Sequence, residues 1–120
     1  MLDLTSIMIG TSQVDVMAKF YEAVFQKPCD MNDGGWHGWV IGKGFLGIGE
    51  HSEVSGENKE PSRMMFNLET TEVKEEFERM KGIEGAKVVK EPYQMGEAWI
   101  ATLSDPDGNY FQLMTPWENN

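Results

Sequence analysis

The chain has 120 residues and carries 20 acidic side chains against 10 Lys and Arg, a net charge of −10 at neutral pH. That length suits one domain of ordinary size, and 40% apolar with 25% charged residues suits a folding chain rather than a disordered one. No apolar run reaches the roughly 18 residues a membrane helix needs, and the few cations form no cluster that could follow a phosphate backbone, so neither a membrane nor nucleic acid is an expected partner.

The N-terminal stretch MLDLTSIMIG has an acidic residue, no basic region and too short an apolar run for a secretory signal. The expected location is the cytoplasm. Within it, LTSIMIG (4–10) reads as a strand. Residues 12–25, SQVDVMAKFYEAVF, place Val16, Phe20 and Val24 at four-residue spacing with Ala23 beside them, the stripe of an amphipathic helix. Ser12 is the predicted N-cap, Asp15 completes a weak capping box, and Pro28 ends the helix soon after Phe25.

A short strand near 28–31 follows, then GWHGWVIG (35–42) and FLGIGE (45–50). The single cysteine, Cys29, excludes an internal disulfide and a Cys-rich zinc site. Flanked by Pro28 and Asp30, it has no adjacent cation to activate a thiolate. HSEVSGENKEP (51–61) is polar and punctuated by Gly and Pro, an exposed connection.

The second half repeats the order. SRMMFNLE (62–69) is strand-like, and residues 71–82 form a helix with Val73, Phe77 and Met80 as its stripe and Gly82 as its stop. Three strands follow: AKVVKEPY (86–93), EAWIATLS (97–104) and NYFQLMT (109–115). The predicted class is α+β, one domain of two βαβββ modules forming a cupped mixed sheet with helices on its outer face. Module one covers about 1–50, the linker 51–61, and module two about 62–120.

An offset of 57 superposes Ser6 on Arg63, Met8 on Met65, Val16 on Val73 and Phe20 on Phe77, while 65 superposes Gly47 on Gln112. Alternation along strands then puts Ile7, Ile9, Leu46, Ile48, Met64, Phe66, Leu68, Phe111 and Leu113 toward the helices. The other face carries Ser6, Met8, Gly10, Phe45, Gly47, Gly49, Arg63, Met65, Asn67, Tyr110, Gln112 and Met114. That mixed face is the expected lining of a cleft.

Asp105-Pro106-Asp107-Gly108-Asn109, followed by Tyr110-Phe111-Gln112-Leu113, supplies the residue types a tight reversal into a strand requires. This run resembles the DPDGN motif leading into the last strand of the vicinal-oxygen-chelate superfamily, which includes glyoxalase I, extradiol dioxygenases and bleomycin-binding proteins. The Phe20-Tyr21 pair is a second match, and the resemblance covers essentially the whole chain. It implies a metal held by one residue from the first and one from the last strand of each module, carried over here to Ser6, Gly47, Arg63 and Gln112. Glycine offers no ligand, arginine a fixed cation and serine a poor donor, leaving only Gln112. No metal or other cofactor is therefore expected.

Other constellations are weaker. Glu50 and His51 are adjacent and point to opposite faces of a strand, and His37 has no fixed spacing to them. No nucleophile triad is visible, and Gly42, Gly44, Gly47 and Gly49 lack the Lys-Ser/Thr of a phosphate loop. Trp36, Trp39, Trp99 and Tyr93, with Met8, Met65 and Met114, could line an apolar pocket, with one or two of the three tryptophans reaching it.

The leading expectation is a metal-free protein that binds a small organic molecule, in the manner of a bleomycin-resistance protein. Ser6, Met8, Arg63, Met65, Trp99, Tyr110 and Gln112 are the ligand-binding candidates, and Arg63 could pair with an anionic group of the ligand. A divalent-metal-dependent lyase or isomerase of the glyoxalase class is one alternative, and an interaction module with a self-filled cleft is another. The resemblance also implies a homodimer.

Overall fold

A computed structural model describes residues 1–116. The elements run β1 (Ser6–Thr11), α1 (Val14–Phe25), β2 (Met31–Asp33), β3 (Trp36–Ile41), β4 (Gly44–Glu50), β5 (Phe66–Glu69), α2 (Val73–Lys81), β6 (Lys87–Met95), β7 (Ala98–Ser104) and β8 (Tyr110–Met114). Strand, helix and three strands thus occur twice. Contacts divide the chain into two compact units, Met1–Gly56 and a second beginning at Glu57. Hydrogen bonding likewise gives two four-stranded mixed sheets, ordered β1-β4-β3-β2 and β5-β8-β7-β6.

Each sheet has the same logic. Its first strand lies parallel to its last, β1 on β4 and β5 on β8, and the remaining pairs are antiparallel. A parallel pair cannot be closed by a hairpin, so the intervening chain must cross over. The helix supplies that crossover and covers one face of its own sheet. On this face Leu46 and Ile48 are buried in the first unit and Ala101, Leu103, Phe111 and Leu113 in the second.

Helix α1 buries Met17, Phe20, Tyr21 and Val24, each side chain contributing roughly 1.5–3 kcal/mol if fully withdrawn from water. Val16 belongs to the predicted stripe but remains 49% exposed. It lies about 100° around the helix from Met17, and the buried face follows Met17, Tyr21 and Val24 instead. Nor does Ser12 cap the helix. Gln13 is the N-cap, and the turn is fixed by Thr11, whose Oγ1 accepts the Gln13 N–H at 3.0 Å. The helix ends at Gln26, a left-handed residue (φ 57°), before Pro28 is reached.

Helix α2 buries Val73, Phe77 and Met80, the predicted stripe. Its entry repeats the first: Thr70 Oγ1 accepts the Glu72 N–H at 3.0 Å. The strand before it is shorter than expected. Only Phe66–Glu69 is strand, so Arg63, Met64 and Met65 precede it, and Met64, predicted to face the helix, is 83% exposed.

Register also corrects the internal repeat. Ile9 pairs with Ile48 and Leu68 with Leu113. If Ile48 and Leu113 correspond, so do Ile9 and Leu68, an offset of 59 rather than 57. The same offset carries Thr11 to Thr70 and Gln13 to Glu72, matching the two threonine turns. Met8 therefore corresponds to Asn67, and Ser6 to Met65.

Candidate functional site

The open faces of the sheets, those turned away from the helices, hold Ser6, Met8, Tyr110 and Gln112 of the candidates, and each unit builds its own from alternation and register; on the second of them Ile100, Thr102 and Ser104 are nevertheless buried. In the first sheet one row of paired residues runs Met8, Gly47, Gly38, Met31 across all four strands. Trp36 and Phe45 stand on the same face, two residues along the strands on either side. Both rings rest on glycines of a neighbouring strand. A Cβ added to Gly49 would overlap the Trp36 indole, and one added to Gly38 would overlap the Phe45 ring. Gly47 differs, since a Cβ there would meet Phe45 Cε1 at 3.6 Å, Trp36 Cε3 at 3.7 Å and Met8 Cγ at 3.9 Å, all ordinary contacts. Gly38 and Gly49 serve close approach of rings to backbone.

In the second sheet the corresponding row runs Asn67, Gln112, Thr102, Lys90. The Gln112 Nε2 donates to Thr102 Oγ1 at 3.2 Å, which fixes the amide and turns its oxygen to the other side. Tyr110 pairs with Ser104 and Met114 with Ile100 on the same face. Lys90 sits with its ammonium 5.5 Å from the Tyr93 ring centroid. This row is made of hydrogen-bonding groups where the first is made of thioethers and bare backbone.

The candidates named from sequence are distributed unevenly over these faces. Ser6, beside Phe45, and Met8 lie on the first unit's open face, and Tyr110 and Gln112 on the second's. Arg63 is not in a strand. Its side chain is 75% exposed and its Nε lies 3.0 Å from Glu60 Oε2, in an open hollow lined by Asn58, Lys59, Glu60 and Met64. The expectation that it points into a cleft from a strand is corrected by the late start of β5. Met65 also precedes that strand and is exposed.

Trp99 shares the helix-facing side with Ala101 and Leu103, and the Lys74 ammonium from α2 sits 3.8 Å from its ring centroid. Trp39 is buried on the helix side of its sheet, 5.8 Å from Phe25 of α1 between ring centroids. Of the three tryptophans, Trp36 stands on an open face. Thr102, Lys90 and Gly38 were not singled out from sequence. The alternation Ala101, Thr102, Leu103, Ser104 carried a signal for Thr102, whereas Lys90 lies beyond a register shift in β6 that no sequence pattern marks.

Among the described residues, no group of three or more His, Cys, Asp or Glu side chains is placed to hold a metal ion. His51 Nδ1 instead accepts the Glu53 N–H at 3.1 Å, and Glu50 is an exposed strand end. Cys29 Sγ lies 3.8 Å from His37 Nδ1. Next to it, Asp30 Oδ2 accepts the Val40 N–H at 2.7 Å and pairs with Lys27 Nζ at 2.9 Å. The Val40 hydrogen bond first, then the Lys27 ammonium, holds its carboxyl below the usual aspartate value.

The DPDGN turn has a structural task. Asp105 is buried, and its Oδ1 accepts the Asp107 and Asn109 N–H groups at 2.9 and 3.0 Å while the Asn109 amide donates to both carboxylate oxygens. Gly108 adopts the left-handed region (φ 79°) that closes the reversal. This turn sets the entry of Tyr110 and Gln112 into β8.

A family model for the glyoxalase-like domain matches residues 6–114. The chain belongs to the glyoxalase-like family. Solved structures of the same superfamily agree. A glyoxalase/bleomycin resistance protein/dioxygenase family enzyme from Burkholderia phytofirmans PsJN is 25% identical with a TM-score of 0.72, over 95% of this chain and 98% of the other. The bleomycin resistance determinant of transposon Tn5 is 21% identical with a TM-score of 0.70, over 98% and 100%. Lactoylglutathione lyase from Agrobacterium tumefaciens is 16% identical with a TM-score of 0.68, over 94% and 92%. No curated protein sequence matches this chain.

Proposed function

We propose that this glyoxalase-like protein binds a small organic molecule on its open sheet faces and does so without a resident metal. The observation that carries the reading is Gly47. In the last strand of the first sheet, at a position the superfamily resemblance assigns to a ligand, there is only backbone flanked by Met8, Phe45 and Trp36. Thioether and hydrocarbon surfaces suit an organic ligand and offer a hard or borderline divalent ion nothing. Ser6 and Met8 are the proposed contacts on one face, Tyr110 and Gln112 on the other, the Gln112 carbonyl being oriented by Thr102. The similarity to the Tn5 bleomycin resistance determinant supports binding as the activity. A cytoplasmic homodimer completes the proposal, with sedimentation equilibrium as its check.

The competing enzyme reading is favoured by the Gln112 amide and by the likeness to a lactoylglutathione lyase. Elemental analysis with a thermal-shift screen, run with and without Zn, Ni, Mn and Fe(II), separates the two. Binding predicts stabilisation by an organic compound, about 2.7 kcal/mol at a hundredfold excess over Kd, and no stoichiometric metal. A stoichiometric, stabilising ion overturns the metal-free reading. The self-filled reading draws on Trp36 and Phe45 lying on their own glycines, and a compound library that stabilises nothing would establish it.

A further inference from the structure

We propose that Asp33 is a modification site: its carboxyl closes with the Gly34 amide to a succinimide, which opens to isoaspartate at the tip of the β2–β3 hairpin. The chain has two Asp-Gly pairs, Asp33-Gly34 and Asp107-Gly108, and the fold treats them in opposite ways. Asp33, Gly34 and Gly35 are exposed, and a Cβ built on either glycine meets nothing within 4 Å. Both glycines have positive φ, 59° and 85°, and the main chain there can turn as ring closure requires at little steric cost. Strand β2 is three residues long, stands at the edge of its sheet and pairs with β3 alone. Fraying at its end breaks the pair of Asp33 with Trp36 and leaves those of Asn32 and Met31 in place.

Asp107-Gly108 offers the same functional groups and lacks this freedom. Asp107 is buried. Its N–H donates to Asp105 Oδ1 at 2.9 Å, its carbonyl accepts the Asn58 N–H at 2.8 Å, and the Gly108 N–H donates to the Asp105 carbonyl at 2.9 Å. The nitrogen that would attack is already engaged there, and the peptide groups on both sides of Asp107 are fixed. At Asp33, ring closure forms a bond from the Gly34 nitrogen to Cγ and expels one water, made from the carboxyl OH and the amide hydrogen. Water then adds back. Cleaving the Cγ–N bond restores aspartate. Cleaving instead the bond from the nitrogen to the former main-chain carbonyl leaves the chain running through Cβ and Cγ, one methylene longer opposite Trp36.

The test incubates the full chain at mildly alkaline pH, folded and in guanidinium chloride, and counts isoaspartate at each site by peptide mapping with electron-transfer fragmentation. Methyl transfer from S-adenosylmethionine by an isoaspartyl methyltransferase gives the total. In the folded chain Asp33 is expected to convert at least about tenfold faster than Asp107, whose turn must open first. In denaturant the two rates should come together. Asp33→Glu removes most of the folded-chain total, because the six-membered ring closes far more slowly, and leaves the thermal melt unchanged. Equal rates at the two sites in the folded chain overturn the proposal, as does an Asp33 that converts in denaturant and not in the fold. A folded-chain total that Asp33→Glu does not lower overturns it as well.

Discussion

The two open faces sit at the same structural position and carry opposite chemistry. Where the first sheet has Met8, Gly47, Gly38 and Met31 in a row, the second has Asn67, Gln112, Thr102 and Lys90. The helix-facing sides do not diverge in this way: Ile9 and Ile48 in one unit answer Leu68 and Leu113 in the other. Packing against a helix accepts only apolar side chains, so that side is constrained twice over. The open side is free to differ, and its differences are where function can reside. One face offers rings and sulfur, the other directed hydrogen bonds.

The turns feeding the last strands differ as much. The first sheet reverses through Gly42 and Lys43, a short hairpin with Gly42 at φ 59°, whereas the second spends a buried carboxylate on its reversal. Asp105→Ala should therefore be the most damaging single change outside the hydrophobic core, costing about 3 kcal/mol because buried N–H donors lose a charged acceptor. Urea unfolding measures it. A loss below about 1 kcal/mol would mean that the turn holds itself by backbone geometry, as the Gly42 hairpin does.

Much of this was legible in the sequence. The DPDGN run located the turn, and alternation assigned Leu46, Ile48, Phe111 and Leu113 to the helix side, where they are buried. The offset between the halves was not legible. Apolar residues recur every three or four positions on a helix, so Val16 and Phe20 can be superposed on Val73 and Phe77 while the strands beside them are misaligned. Only pairing partners fix a strand's register, and partners such as Leu68 and Leu113 lie far apart in sequence. Arg63 entered the candidate site through that same slip. Trp36 and Trp39 show the remaining limit, since their three-residue spacing places them on opposite faces while an isolated Trp-rich run does not say which is which.

The glycines of the first face give the next largest effect and test whether its rings are truly seated. Gly49→Ala drives a methyl into the Trp36 indole, and overpacking of this kind costs about 1–3 kcal/mol. Gly47→Ala, one pleat away on the same strand, places its methyl in ordinary contact and should change stability by less than about 0.5 kcal/mol. The pair differ by two residues and by nothing else in chemistry. Equal midpoints in urea for both variants would show that the Trp36 ring is not held against Gly49.

The smallest expected effect concerns the margin of the first sheet, which lacks the second's long hairpin and relies on a charged clamp. Asp30 joins the loop before β2 to β3 through the Val40 N–H and Lys27. Its carboxyl is held below the usual value in the folded state, so the unfolded chain binds the proton more readily. The stabilisation is accordingly complete above the ordinary aspartate range and disappears as pH falls through the lower, folded value. Asp30→Asn keeps an acceptor for Val40 but gives up the charge toward Lys27. Its melting temperature should lie slightly below that of the parent at neutral pH, and the two should converge as pH falls through the lowered, folded value. Because the clamp is solvent-exposed, added salt should narrow the gap at neutral pH as well. A gap that persists unchanged at low pH would place the effect in the packing of the substituted amide rather than in the lost charge.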